Sequence, residues 1–328
     1  MHKFIKRLSI VAAIVIGVST SAAAQVTLKF AHAAPESDLQ QNLALFFQKE
    51  VAKRTGGEVK VQVFPSGQLG NDAQMIDGAR SGIIDIFMVG LNNMSGLMPE
   101  SEAFELPFMF PTRQAAYKVL DGKVGQDVLA GMKTFGLKGL GYPENGYRNM
   151  TNSRGPIRKP SDVKGLQMRV NNSKSLNNMF ATLGASPQQI PVAELYTALE
   201  TKVVDSQDHP IGITLSFKFY EVQKYLSLTQ HAYSPLLVSM NLKKFDALTD
   251  KQRQIILEVS KEAVDMQRKL SISKENEMIA QLEAQGMKVN RDVDGAAFQA
   301  AVKPVWDAYI AKSGNGLINA INAAAAAK

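Results

Sequence analysis

The stretch 248–286 constrains the fold most, because it carries the pattern of one uninterrupted α-helix. Thr249 and Gln252 have the spacing of an N-terminal capping box, and Gly286 is a residue that commonly stops a helix. At 1.5 Å per residue the helix would be roughly 50 Å long, which exceeds the width of a small domain. It predicts either a coiled-coil partner helix or a strut across two domains, and the second fits a two-lobed protein with a cleft. The residues of its apolar face are Ile255, Val259, Ala263, Met266 and Leu270.

Upstream of this helix, strand and helix patterns alternate. Strands are predicted within 26–37, 59–70 and 83–90. Helices are predicted within 38–57 and 71–82, the second opened by a capping Asn or Asp. This alternation is typical of an α/β domain with a largely parallel sheet.

A second block repeats the strand–loop–helix unit, which predicts a second α/β domain. Its predicted segments are a strand with a polar connection (137–153), a strand (159–170), a helix (173–184), a link (185–191), a helix (192–202) and a short strand (203–210). The low-complexity tail 320–328 is expected to fray.

Residues 1–24 have the organisation of a secretory signal peptide. Lys3, Lys6 and Arg7 precede an apolar run that ends in small residues, so cleavage is predicted after Ala24. We therefore expect export to a bacterial periplasm. The alternative is an uncleaved membrane anchor, which the short apolar run disfavours. The chain has no cysteine, so the oxidising compartment adds no disulfide.

Composition and motifs exclude several classes of function. The formal net charge is +7, and the basic residues are scattered without interleaved aromatic residues, so nucleic-acid binding is not expected. The sequence contains no G-x-S-x-G elbow, P-loop, HExxH or G-x-G-x-x-G motif. No two of His32, His209 and His231 have the spacing of a metal-binding pair. We expect a binding protein rather than an enzyme, with no cofactor and no metal.

Polar side chains recur where predicted strands end. Arg169 lies in the alternating strand KGLQMRV, with no carboxylate within four positions. Because a guanidinium stays charged in proteins, it needs water, a remote carboxylate or a ligand anion. Arg148, His209 and Asn92 also follow predicted strands, and ligands of open α/β sheets bind beyond the carboxyl ends of strands. Two arginines aimed at one cleft would suit a carboxylate ligand.

Six separated segments carry a family resemblance: FPSGQLGND (64–72), FELPFMF (104–110), NGYRNMTNS (145–153), DVKGLQMRV (162–170), LGASPQQIPVAELYTALETKVVDSQDHP (183–210) and KFYEVQKYLSLTQH (218–231). Together they resemble the substrate-binding proteins of TRAP transporters, the DctP-like family, over essentially the whole mature chain. The resemblance implies a two-lobed periplasmic-binding-protein fold, with a ligand cleft between the lobes and a long helix spanning both. It implies a first lobe of 26–145 plus 234–272 and a second of 146–233 plus 273–328.

The resemblance also implies roles for individual residues. The arginine of the KGL-x-x-R-V strand, here Arg169, forms a salt bridge with the substrate carboxylate in the family, and Arg148 matches a second ligand-facing position. The family's loop usually reads VDGQENP, whereas this chain has VDSQDHP, so His209 replaces an Asn that commonly holds the carboxylate. We predict that His209 contacts the ligand as a neutral donor or as a charged imidazolium. The alternative is a loop histidine turned outward.

The remaining candidate positions lie in loops near strand ends. Glu144 precedes NGYR and could accept a hydrogen bond from a ligand hydroxyl or amine, or pair with Arg148. The other predicted ligand contacts are His32, Gln68, Asn71, Asn92 and Asn171.

The resemblance implies that the protein captures its ligand by closing its two lobes around it. The lobes would hinge around a small organic acid, and the closed protein would dock on a small four-helix membrane subunit and a large ion-driven permease. We expect a monomer and favour a small dicarboxylate or a hydroxy acid as the ligand, although sugar acids also occur in the family. The alternatives are a binding protein that serves a receptor kinase and a periplasmic enzyme acting on an organic acid.

Overall fold

The computed structural model describes residues 25–327, so the predicted signal peptide 1–24 lies outside the described residues. Within that range, no helix combines the length and the hydropathy needed to span a membrane. The described chain contains ten strands and twelve α-helices. The strands are β1 (Val26–His32), β2 (Val59–Phe64), β3 (Ile86–Gly90), β4 (Leu137–Gly141), β5 (Glu144–Asn152), β6 (Gln167–Val170), β7 (Ser186–Gln189), β8 (Ser206–His209), β9 (Tyr225–Asn241) and β10 (Lys288–Asn290).

The helices follow the strands in the alternation that the sequence predicts. They are α1 (Leu39–Arg54), α2 (Asp72–Ser81), α3 (Arg113–Asp121), α4 (Lys123–Gly131), α5 (Lys174–Thr182), α6 (Val192–Glu200), α7 (Ile211–Ser216), α8 (Leu242–Asp246), α9 (Asp250–Ala284), α10 (Gly295–Ala301), α11 (Lys303–Ser313) and α12 (Gly316–Ala326).

Two sheets share the long strand β9. One sheet has the order β2-β1-β3-β9, with β4 also paired to β9, and the other has the order β9-β5-β8-β6-β7, with β10 paired to β9. Pairs within each α/β unit are parallel, whereas β3, β4 and β5 pair with β9 in antiparallel fashion. The sheets are therefore mixed rather than largely parallel, because β9 runs antiparallel to β3, β4 and β5, and β5 also runs antiparallel to β8.

The predicted long helix is confirmed as α9. Thr249 and Gln252 form the capping box, and Gly286 adopts a positive φ of 93° just beyond the last turn. The helix contacts α1 and β4 beside the first sheet and α7 and β10 beside the second. It is therefore a strut along both halves of the molecule and not a coiled-coil partner.

Three local predictions were wrong. The polar connection after β4 is the strand β5, which is buried on both faces and so shows no alternation of polar and apolar residues. The link 185–191 contains the short strand β7, whose polar sequence gives no strand pattern. The tail 320–328 is largely helical, since α12 buries Ile318 and Ile321 against α3 and α4.

A buried polar cluster joins the start of β5 to α9. Gln267 of α9 binds both backbone groups of Glu144, accepting from its N–H at 2.9 Å and donating to its carbonyl at 2.7 Å. The Glu144 carboxylate accepts hydrogen bonds from Ser271 at 2.8 Å, Arg113 at 2.8 Å and the Tyr117 hydroxyl. Glu144 is 1% exposed, so these partners replace water around a buried carboxylate.

We expect Glu144→Ala to lower the free energy of unfolding by about 3 kcal/mol, as removing one member of a buried ion pair does. This loss is at the low end of the range of about 3–5 kcal/mol for buried ion pairs, because Arg113 keeps Glu275 as a partner at 2.6 Å. Urea unfolding of the ligand-free protein would measure it. Glu258→Ala, which removes an exposed glutamate of α9, should change the value by less than about 0.5 kcal/mol. Equal effects of both variants would contradict a stabilising role for the Glu144 cluster.

Candidate functional site

A polar cavity of about 50 Å³ lies where strands of the two sheets end, and a second cavity of about 220 Å³ adjoins it. The beginning of α2 and the loop after β3 supply Asp72, Asn92 and Asn93 from one side. The ends of β6 and β8 supply Arg169 and His209 from the other side. Polar groups from both halves of the molecule therefore face one space.

Arg169 is a buried cation at the boundary of the two cavities. It is 2% exposed and lines both of them. Its Nε donates to the carbonyl of Ile190 at 2.8 Å and its Nη1 donates to His209 at 3.1 Å, and within residues 25–327 it forms no salt bridge. Burial, and then the nearby Arg148 guanidinium, lower the pKa of Arg169 to about 10. Arg169 is still protonated at neutral pH, and an anion in the cavity would compensate its charge.

His209 is held as a neutral hydrogen-bond acceptor. Its Nδ1 lies 2.5 Å from the side-chain oxygen of Gln207 and must donate, so Nε2 is left to accept from Arg169. Burial and then the charges of Arg169 and Arg148 hold the pKa of His209 well below 6.5. The arrangement therefore favours the neutral imidazole over the charged form, and it orients the Arg169 guanidinium.

Arg148 also lines the smaller cavity, but its charge is already balanced. Its Nε and Nη2 donate to the Asp208 carboxylate at 2.5 and 3.1 Å, and Nη2 also donates to the Asp208 carbonyl at 2.6 Å. Burial alone would raise the pKa of Asp208, but Arg148 and the 3.1 Å contact with His231 outweigh burial and lower it strongly. Arg148 and Asp208 therefore behave as a buried, neutral ion pair. Whether Arg148 also contacts a ligand stays a prediction.

A further carboxyl group lies behind this pair. Glu105 is 3.7 Å from Nη1 of Arg148 and accepts a hydrogen bond from Ser234 at 2.9 Å. Burial raises the pKa of Glu105 to about 7, although the Arg148 charge opposes the shift. Near neutral pH Glu105 is therefore partly protonated and carries less than a full negative charge behind the cavity.

Two asparagines present buried polar atoms that have no hydrogen-bond partner within the described chain. These atoms are the side-chain nitrogen of Asn92 and the side-chain oxygen of Asn171, and both residues line the cavity. Asn92 is only 2% exposed. Because buried polar atoms are normally paired, this pattern marks them as groups that a ligand would satisfy.

Four of the other predicted positions lie away from the smaller cavity, namely Asn71, Gln68, His32 and Glu144. Asn71 caps α2, where its oxygen accepts from the Gln74 N–H at 3.0 Å, and it borders only the larger cavity. Gln68 is exposed and borders neither cavity. His32 is fully buried against Gln41 at 2.8 Å.

The expectation that Glu144 contacts the ligand or pairs with Arg148 is wrong. Its carboxylate turns toward α3 and α9 and pairs with Arg113, so it borders neither cavity. Regular alternation would place Glu144 on the same face as Arg148, but the β5–β9 register shifts between Glu144 and Gly146, so the two side chains can point to different sides.

Several cavity residues were missed from the sequence. Asp72, Asn93 and Asn145 line the smaller cavity, and Asn93 donates to the Asp72 carboxylate at 3.0 Å. Asp72 lies within the segment FPSGQLGND, in which the predicted ligand contact is its capping neighbour Asn71. Burial raises the pKa of Asp72 to about 6, with Arg169 and Asn93 opposing the shift.

Comparisons with known proteins agree over nearly the whole chain. The family model for DctP, described as bacterial extracellular solute-binding protein, family 7, matches residues 30–313. The 2,3-diketo-L-gulonate-binding periplasmic protein of Escherichia coli (strain K12) is 44% identical over 284 residues, covering 87% of each chain.

Two solved structures show the same architecture with different ligands. A TRAP periplasmic solute-binding protein from Polaromonas sp. JS666, bound to D-erythronate, superposes with a TM-score of 0.89 at 36% identity and covers 93% of this chain and 99% of its own. One from Sulfurospirillum deleyianum with bound succinate has a TM-score of 0.87 at 30% identity and covers 92% and 99%. The two-lobed fold, the cavity and the family match together show that this chain belongs to the DctP family of TRAP periplasmic solute-binding proteins.

Proposed function

We propose that this protein is the periplasmic substrate-binding component of a TRAP transporter and that it captures a small carboxylate through Arg169. The single observation that carries the proposal is a buried guanidinium, facing a cavity, with no salt bridge inside the described chain. A planar guanidinium can bind both oxygens of one carboxylate, which would supply the missing charge. The similar proteins that bind 2,3-diketo-L-gulonate, D-erythronate and succinate support this ligand class.

Closure of the lobes over the ligand is the second part of the proposal. Two hydrogen bonds already join segments assigned to different lobes: Ser216 donates to Asp38 at 2.7 Å, and Ser95 donates to the carbonyl of Asn172 at 3.2 Å. Asp38 is also the N-cap of α1, so its position is fixed by the Gln40 N–H at 2.9 Å. We infer that these bonds form when the lobes close, and that a ligand bridging the cavity favours the closed state.

The proposed membrane partners rest on family membership, and the proposed cellular location rests on family membership and on the N-terminal sequence pattern. We propose export by the signal peptide 1–24, a monomeric protein in the periplasm, and delivery to a small four-helix subunit and a large ion-driven permease. The lobe boundaries, 26–145 plus 234–272 and 146–233 plus 273–328, belong to the same proposal.

Arg169→Ala should lower affinity for the carboxylate ligand at least about 30-fold, because removing one partner of a buried charge pair typically costs 2 kcal/mol or more. Thermal-shift screening of small organic acids would find a ligand, since saturation at 100 times Kd adds about 2.7 kcal/mol of stability, and calorimetry would then give the affinity. Arg158→Ala, at an exposed arginine, is the matched control and should bind normally. Unchanged affinity of the Arg169 variant would overturn the proposal.

His209→Asn should retain binding within a few-fold, because the Asn oxygen can also accept from Arg169. Its effect on stability should depend on pH. The folded wild type keeps His209 neutral, whereas the unfolded chain takes up a proton near the ordinary pKa of 6.5. Acidification below that value therefore destabilises the wild type relative to the variant, by up to about 1.4 kcal/mol per pH unit. Urea unfolding of both proteins at about pH 7.5 and about pH 5 measures this difference, and a constant difference would contradict a neutral His209.

Ser216→Ala should weaken ligand binding roughly fivefold, because one net hydrogen bond of about 1 kcal/mol is lost from the closed state. Calorimetry gives the affinity, and small-angle scattering with saturating ligand should still report the compact form. Ser273→Ala removes an exposed hydroxyl that bonds only to the Leu270 carbonyl of its own helix, and it should leave affinity unchanged. Equal affinities of the two variants would argue against the Ser216–Asp38 contact as part of closure.

A further inference from the structure

We propose that the ligand is a monocarboxylate whose carbon chain bears hydroxyl groups, and that Asp72 selects it by accepting a hydrogen bond from a hydroxyl and by disfavouring a second carboxylate. The inference rests on the proposed function, because it takes Arg169 as the site of the first carboxylate. It concerns the rest of the ligand and separates two classes that similar proteins bind, a hydroxy acid and a dicarboxylate.

The positive charge around the cavities suffices to bind one ligand carboxylate. The ionisable residues that line them are Asp72, Arg148, Arg169 and His209. Asp208 neutralises Arg148, and His209 is an acceptor with a pKa held well below 6.5. Arg169 is therefore the one cation lining these cavities that has no salt bridge in the described chain. A second carboxylate would be desolvated without a partner, which is costly.

Asp72 adds repulsion against a second carboxylate. It lines both cavities together with Arg169, and Asn93 fixes its carboxylate with a 3.0 Å hydrogen bond. Its pKa of about 6 leaves the group mainly ionised above neutral pH. A ligand whose first carboxylate lies on Arg169 would bring its other end toward this negative charge, where like charges disfavour each other.

The hydrogen-bonding inventory favours hydroxyl groups on the ligand. The partnerless oxygen of Asn171 needs a donor, and the Asp72 carboxylate, which already accepts from Asn93, has room to accept from a second one. An ionised dicarboxylate such as succinate offers only acceptors, whereas a hydroxyl both donates and accepts. The partnerless nitrogen of Asn92 can donate to a hydroxyl or carboxylate oxygen. A hydroxylated monocarboxylate therefore satisfies all three groups, and a plain dicarboxylate satisfies only Asn92.

The larger cavity gives the hydroxylated chain a place to extend. It continues past Arg169 and is bordered by polar residues, among them Asn71, Asn93 and Gln189, and by the apolar residues Ile190, Pro191 and Val192. Among residues 25–327, Arg169 is the sole lysine, arginine or histidine that borders it. An uncharged polyol chain matches such a lining better than an anionic terminus does.

The test compares ligands that differ only at the terminal carbon. D-erythronate is paired with meso-tartrate, and D-gluconate with D-glucarate, so that each pair exchanges a hydroxymethyl group for a carboxylate; succinate serves as the ligand without hydroxyls. Calorimetry at about pH 7.5 would be run on the wild type, Asp72→Asn and Asp77→Asn. Asp77 is an exposed residue of the same helix and is the matched control.

We expect the wild type to bind the better monocarboxylate at least about 30-fold more tightly than its paired dicarboxylate and than succinate. Asp72→Asn should reduce that ratio about tenfold or more, with the dicarboxylate gaining affinity, and Asp77→Asn should leave it unchanged. Tight binding of a dicarboxylate by the wild type, or a ratio insensitive to Asp72, would overturn this inference while leaving the proposed function intact. Absence of binding by every acid would overturn the proposed function itself.

Discussion

The structure depends on the cost of burying the Arg169 guanidinium in the cleft. A buried cation without a counterion is unfavourable, and a guanidinium cannot escape the cost by losing its proton near neutral pH. The fold lessens the cost with the Ile190 carbonyl and the neutral nitrogen of His209, but it provides no salt bridge within the described chain. A ligand carboxylate would supply what is missing, so the same deficit that lowers stability in the empty protein would drive binding.

Two arginines face the smaller cavity, but the strand register gives them different environments. β5 runs antiparallel to β8, with Asn149 opposite His209, and the neighbouring Arg148 reaches the Asp208 carboxylate. β6 runs parallel to β8, with Arg169 opposite Gln207, so its guanidinium reaches His209 instead. Arg148, on the strand antiparallel to β8, is thus neutralised by Asp208, whereas Arg169, on the strand parallel to β8, remains free to bind a ligand.

The sequence predicted the elements whose signals are local. The caps and the length of α9 are read from neighbouring residues, and Arg169 stood out because no carboxylate lies near it in the chain. The partners of Arg148 and Glu144 could not be predicted in this way, because Asp208, Arg113 and Ser271 are distant in sequence and become neighbours only through strand pairing and helix packing. β5 was missed for a related reason, since a strand buried on both faces has no period-two pattern.

The Glu144 cluster joins the cleft to the long helix through one strand. Glu144 begins β5 and is held by Gln267 and Ser271 of α9, while Arg148, four residues further along the same strand, lines the cavity. A strand is stiff along its axis, so a shift of β5 during closure must either carry α9 with it or break the bonds to Glu144. Because those bonds are buried and several in number, movement as one body costs less free energy. The proposed lobe boundaries fall just beyond this cluster, after residue 145 in β5 and after residue 272 in α9, so the proposed closure would bend both elements beside the cluster and leave its hydrogen bonds intact.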